Sequence, residues 1–166
     1  YLESLLRGQP PASPLNWLNQ VRAAATERAN ALTVPTTRDE EWRFTDPSPL
    51  LKFSFQPARG APRLAQADIQ RFVIPEASSD RLVFIDGVYA AELSTHCGHE
   101  HGILVTSLAQ GLSSHGEILQ QHLARHADFH NYVFCALNTS FLHDGALVLI
   151  NKSVAYPTPI HLLFIA

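Results

Sequence analysis

Eight of the eleven prolines fall within the first 62 residues, and they cap the length of every regular element there. Proline has no amide donor, and its ring excludes helical geometry from the residue before it, so a helix ends ahead of a proline or begins at one. Gly8 and Pro10-Pro11 therefore stop a short apolar-faced helical turn over Leu2-Glu3-Ser4-Leu5-Leu6-Arg7. Ser13 reads as an N-cap with Pro14 at the first helical position. From there Leu15, Leu18, Val21, Ala25 and Ala29 recur every three or four residues, a helical stripe that Arg22, Glu27 and Arg28 lie off. Thr33-Val34-Pro35 ends it. Residues 36–63, broken by Pro47, Pro49, Pro57, Pro62 and Gly60, read as irregular, with Asp46 capping a turn that starts at Pro47. Trp42 and Phe44 are expected to pin this stretch to the helical part.

Beyond residue 80 the pattern changes to strands. Arg81-Leu82-Val83-Phe84-Ile85 is rich in β-branched and aromatic residues. Asp86-Gly87 is a two-residue hairpin signal, and Val88–Leu93 is expected to return along it. Strands are further predicted over Gly102–Thr106, Ala146–Ile150 (entered through the turn Asp144-Gly145) and Ile160–Ile165. Helices are predicted over Ser114–Arg125, with Ile118, Leu119 and Leu123 on one face, and over Phe129–Phe141. The class is α+β.

Composition narrows the function. Charged residues make up 16% of the chain, the net charge is −3, and no basic run exists, which argues against a partner of nucleic acid or anionic membrane. No apolar stretch is long enough to span a bilayer. Two cysteines are too few for a disulfide scaffold and no signal peptide is visible, so an intracellular location is expected. Tyr1 stands where a start methionine would, and the chain stops in the apolar run Pro159–Ala166; a piece of a longer protein is expected.

Candidate chemistry is sparse. His96, Cys97, His99 and His101, with Glu100 between, crowd one loop that is able to take up a metal, but no distant second ligand pair accompanies them. The loop reads first as a polar connection between strands, with a metal-binding module as the alternative. His122, His126 and His130 would share a face of one continuous helix, unless Asp128-Phe129-His130-Asn131 breaks it; the glutamate of a zinc-protease motif is replaced by Leu123. Cys135 sits among apolar neighbours and reads as a buried, inert thiol. Glu40 and Glu41, beside Arg43, read as a solvated acidic cap. No nucleophile elbow, P-loop or dinucleotide fingerprint is present, and no catalytic residue is assigned.

Three stretches together resemble one family. Glu41-Trp42-Arg43-Phe44-Thr45-Asp46-Pro47 is similar to an "E-x-W-[KR]-[YF]-T" segment of SufD-type proteins. Leu82-Val83-Phe84-Ile85-Asp86-Gly87-Val88-Tyr89 is similar to a family hairpin. Ala136-Leu137-Asn138-Thr139-Ser140-Phe141, then Asp144-Gly145 and Pro159-Ile160-His161-Leu162, resembles the lead-in to the SufB/SufD core. The order and spacing agree over residues 15–166, closer to SufD than to SufB. The resemblance implies the N-terminal part of a scaffold subunit in iron–sulfur cluster assembly. It implies SufB-like and SufC-like partners, a cytoplasmic location (or plastid stroma in a plant), and no enzymatic activity of its own. The cluster would be handled by the full complex, with no cofactor in this stretch. The implied organisation is a helical segment 1–35, a small α/β domain 36–145 and the lead-in strands 146–166 of a β-helix lying outside this chain. Trp42, Arg43, Phe44, Asp86, Gly87, Asn138, Asp144 and Gly145 are the motif residues, with structural rather than catalytic roles. The His96–His101 loop matches no family motif.

Overall fold

A computed structural model describes residues 1–56, 64–95 and 102–166. In chain order its helices are α1 (Leu2–Leu6), α2 (Asn16–Ala31), α3 (Gln66–Ile69), α4 (Leu108–Ser114), α5 (Gly116–His122) and α6 (Val133–Ser140). Its strands are β1 (Arg81–Ile85), β2 (Val88–Tyr89), β3 (Ile103–Ser107), β4 (Ala146–Ile150) and β5 (His161–Ile165). Short 3₁₀ turns include Glu40–Trp42, Ser48–Lys52 and Ala91–Leu93. The chain is α+β, and it divides into two units that alternate along the sequence: Tyr1–Pro57 with Gly116–Leu142, and Ala58–His115 with His143–Ala166. These units run across the segment limits 35/36 and 145/146 read from the sequence, because α6 joins α2 while β4 and β5 join β3 and β1.

The first unit is helical. Its core joins Leu6, Ala25, Ala29, Phe129 and Ala136. Alanines at this α2–α6 contact let the two backbones approach closely, and Ala25 and Ala29 lie one turn apart on one face. The helix starts at Asn16, two residues after the Pro14 start that the sequence predicts. Asn19 clamps Ser13, donating to its carbonyl at 2.7 Å and accepting its amide at 2.8 Å, so Ser13 is held in a separate turn and α2 begins at Asn16. Asp46 does receive the turn at Pro47: its carboxylate accepts the Ser48 amide and hydroxyl at 2.9 and 2.8 Å, which hold its pKa below the ordinary value.

The expected helix over Phe129–Phe141 is shorter, since Asp128 accepts the amides of His130 and Asn131 and forms a local turn that competes with helix. The same turn, with Ala124 at φ 57°, separates His122 from His126 and His130, so the three histidines share no helix face. Ser114–Arg125 is not one helix either: α4 ends at Ser114 and α5 covers only Gly116–His122, with Leu119 buried and Ile118 exposed.

The described residues of the second unit form two small sheets. In the first, β1 lies between β2 and β5, antiparallel to β2 and parallel to β5. In the second, β3 and β4 pair antiparallel over Ile103↔Ile150 through Ser107↔Ala146. Strand β1 is buried along its whole length, which is why after Arg81 it reads as a continuous apolar run rather than an alternating one. Successive side chains of a strand face opposite ways, so β1 supplies two cores: Val83 and Ile85 join Ile69, Ala90, Leu93 and Leu163, while Leu82 and Phe84 join Ile103 and Val105.

The return strand expected over Val88–Leu93 is two residues long. Ser94 accepts the Val83 amide and donates to the Ala90 carbonyl, replacing the ladder with a side chain while Ala91–Leu93 turns away. Arg81, buried at the start of β1, donates its guanidinium to the Leu93 carbonyl at 3.0 and 3.2 Å. Among the described residues no helix is long and apolar enough to cross a membrane.

Candidate functional site

The acidic segment 39–42 and the start of α6 form the most built surface feature of the helical unit. Asp39 accepts the Thr36 amide at 2.7 Å and its hydroxyl at 3.1 Å, and the Trp42 amide donates to the Asp39 carbonyl, so one tight turn fixes Glu40, Glu41 and Trp42. On the opposite side the Asp128 turn sets the entry to α6: its carboxylate also accepts the Asn131 side-chain amide at 2.7 Å, and these bonds hold its pKa below the ordinary value. Two contacts join the sides. Trp42 and Phe134 rings lie 5.3 Å apart at 47°, and Tyr132 donates its hydroxyl to Glu41 Oε1 at 3.0 Å. That hydrogen bond to a carboxylate raises the phenol's pKa above its ordinary value. Between the sides runs a groove of about 670 Å³, apolar along Leu32, Pro35 and Val133 and acidic along Asp39, Glu40 and Glu41. Cys135, a free thiol, also lines it and is half-buried rather than enclosed.

The motif residues separate. Trp42 forms a wall of this groove. Phe44 does not pin the segment: it is 92% exposed, with the Arg43 guanidinium 5.4 Å from its ring centre. The chain turns at Trp42, so residues 42 and 44 face different surroundings. Further along the same segment Leu50, Leu51, Phe53 and Phe55 are also exposed, Phe53 at 60%, and the Phe53 and Phe55 rings lie 6.1 Å apart. Asn138 is exposed on α6 and lines a smaller apolar hollow of about 280 Å³ with Leu5, Phe55, Leu137 and Phe141.

In the other unit, Asp86 (φ 49°) and Gly87 (φ 80°) make the two-residue turn from β1 to β2. Asp144 Oδ1 accepts the Ala109 and Gly145 amides at 2.9 and 2.8 Å, and the Gly145 carbonyl accepts the Leu108 amide. Asp144-Gly145 therefore both enters β4 and receives the first turn of α4. His96, Cys97, His99 and His101 lie outside the described residues; among the described ones no group of three or more metal-ligating side chains converges. His161, on β5, has a buried Nδ1 with no hydrogen-bond partner among the described residues, and burial, then the nearby Arg81 charge, lowers its pKa.

The groove escaped the sequence reading because its two sides are some ninety residues apart; the only local signal was an acidic pair beside a tryptophan. Comparison with known proteins identifies the chain by region. A family model described as the SufBD protein N-terminal region matches residues 11–162. An iron–sulfur cluster assembly SufBD family protein of Synechocystis sp. is 38% identical over 144 residues, covering 87% of this chain and 31% of that protein, so the chain spans about a third of its relative's length. The match runs through both units, the groove and the hairpin alike, and the chain belongs to the SufBD family through its N-terminal region.

Proposed function

We propose that this chain is the N-terminal domain of a SufD-like subunit of an iron–sulfur cluster assembly scaffold, and that it acts by protein–protein contact rather than by chemistry of its own. The family membership and the name of the Synechocystis relative support the assembly role. The motif around Trp42 favours SufD over SufB. The observation that carries the contact role is the exposure of Phe44, Leu50, Leu51, Phe53 and Phe55 within one twelve-residue segment, since large apolar side chains exposed together mark an interaction surface. The partners in this reading are SufB-like and SufC-like subunits. The cluster belongs to the complex, the lead-in strands continue into a β-helix, and the location is cytoplasm or plastid stroma.

The test uses the full-length parent protein expressed with SufB-like and SufC-like subunits, with complex mass read by light scattering. The unaltered protein is expected to assemble, and Phe44→Ser with Phe53→Ser to associate more weakly while its circular dichroism stays unchanged. Failure of the unaltered protein to assemble, or unchanged association of the double variant, would overturn the reading. So would ATPase activity, or a stable cluster chromophore on this domain alone after anaerobic reconstitution with iron and sulfide.

A further inference from the structure

We propose that the groove between the acidic turn and the start of α6 binds an arginine or lysine side chain presented by an extended segment of a partner protein. The inference rests on the contact role above and names one of its sites. Size is the first argument: about 670 Å³ lies within the range of built ligand pockets and exceeds what one side chain fills, leaving room for its apolar neighbours along Leu32, Pro35 and Val133. Charge is the second. Asp39, Glu40 and Glu41 line one edge, and among the described residues none of them pairs with a cation. Two of the carboxylates are engaged as hydrogen-bond acceptors, Asp39 by Thr36 and Glu41 by Tyr132; the Glu40 carboxylate has no partner among the described residues.

The third argument is the wall chemistry. Trp42 and Phe134 line the same groove as these carboxylates, and a guanidinium is the group that stacks on an aromatic ring while donating to a carboxylate. The Tyr132 hydroxyl uses one position on Glu41 Oε1 and orients the carboxylate, leaving its other lone pairs for a donor. A phosphate or carboxylate ligand would face three like charges. A purely apolar segment would strip water from those carboxylates with nothing in return. The surface therefore fits a cation flanked by apolar residues.

The test measures fluorescence anisotropy of a labelled peptide, Gly-Ser-Leu-Arg-Leu-Ser-Gly, against the full-length protein, with Gln in place of Arg as the control peptide. The Arg peptide is expected to bind saturably and less tightly as salt is raised, and the Gln peptide about ten-fold more weakly. Glu40→Lys, at an exposed site whose side chain makes no hydrogen bond among the described residues, is expected to lose about ten-fold, and Trp42→Leu about three- to five-fold. Equal binding of the two peptides, or an unchanged Glu40→Lys protein, would overturn the proposal. Assembly with the partner subunits is measured in parallel. Intact assembly with indifferent peptides defeats the groove alone; failed assembly defeats the wider reading even where the Arg peptide binds.

Discussion

Tyr132 donates its hydroxyl to Glu41 across ninety-one residues of sequence, at 3.0 Å, and ties the acidic turn to the start of α6. A phenol bonded to a carboxylate loses its proton reluctantly, because the phenolate would face that negative charge. In ¹³C-tyrosine-labelled protein the Tyr132 resonance should titrate above the ordinary value of about 10. Glu41→Gln should bring it back toward that value. A Tyr132 resonance indifferent to Glu41→Gln would mean the bond does not persist in solution.

The hairpin turn isolates a purely conformational effect. Gly87 has φ +80° and nothing within 4 Å of where a Cβ would stand, so Gly87→Ala meets no clash beyond its own backbone. The left-handed conformation should cost about 1–2 kcal/mol, read as a lower urea midpoint at constant slope. Asp86→Asn, at φ 49°, should be close to neutral, because asparagine tolerates that region as well as aspartate does. Equal losses at both positions would contradict this account.

Phe84 is the largest fully buried side chain; its ring stacks on Phe164 at 5.1 Å and 14° and tilts against Tyr89 at 5.6 Å. Phe84→Ala should destabilise by about 3–5 kcal/mol, the usual cost of emptying a core aromatic site. Phe164 is 62% exposed and loses mainly the ring pair, so Phe164→Ala should cost about 0.5–1.5 kcal/mol. Chemical denaturation of the two variants checks the order, and a larger loss at Phe164 would reverse the assignment of the core.

His161 gives a pH dependence of definite sign. Its pKa is lowered in the folded protein by burial and by Arg81, so the folded state binds fewer protons here than the unfolded chain does. The associated stability is complete above the ordinary histidine value of about 6.5 and declines as the pH falls below it. The denaturant midpoint should therefore drop on acidification, and drop less in His161→Gln. Parallel pH profiles for the two proteins would remove His161 from the account.

The histidine-rich loop bears on the metal-binding alternative. Metal analysis after chelator treatment should find no tight stoichiometric zinc or iron that His99→Ala with His101→Ala abolishes. Such a metal would revive that alternative.

Much of the secondary structure was legible because its cause is local. Arg81–Ile85, Ala146–Ile150 and the final strand are short, mostly apolar runs near turn residues, and their positions hold to within a residue. What depended on distant partners was not legible. Helix α4, with Gly111 and two serines, has weak intrinsic propensity; Ser107 caps it by accepting the Gln110 amide, and Asp144, thirty-five residues on, accepts the Ala109 amide. The shortened return strand depends on the Ser94 side chain. Phe44 misled because an aromatic in a proline-rich stretch reads as an anchor, whereas the backbone turn at Trp42 leaves it in solvent. The groove needed residues 39–42 and 131–135 side by side, and no periodicity encodes that.

The parallel pairing of β1 with β5 sets an order of events during synthesis. Each partner in that ladder lies 80 residues from the other, from Arg81↔His161 to Ile85↔Ile165. When β1 leaves the ribosome its local partners among the described residues are the two residues of β2 and the bridge from Arg81 to Thr95, and its other edge stays open until the chain has grown past residue 165. The helical unit waits too, since α2 lacks α6 until residue 140 has emerged. Two units whose segments alternate along the sequence thus mature almost together. Until they do, the apolar run of β1 is the segment most in need of protection from other nascent chains.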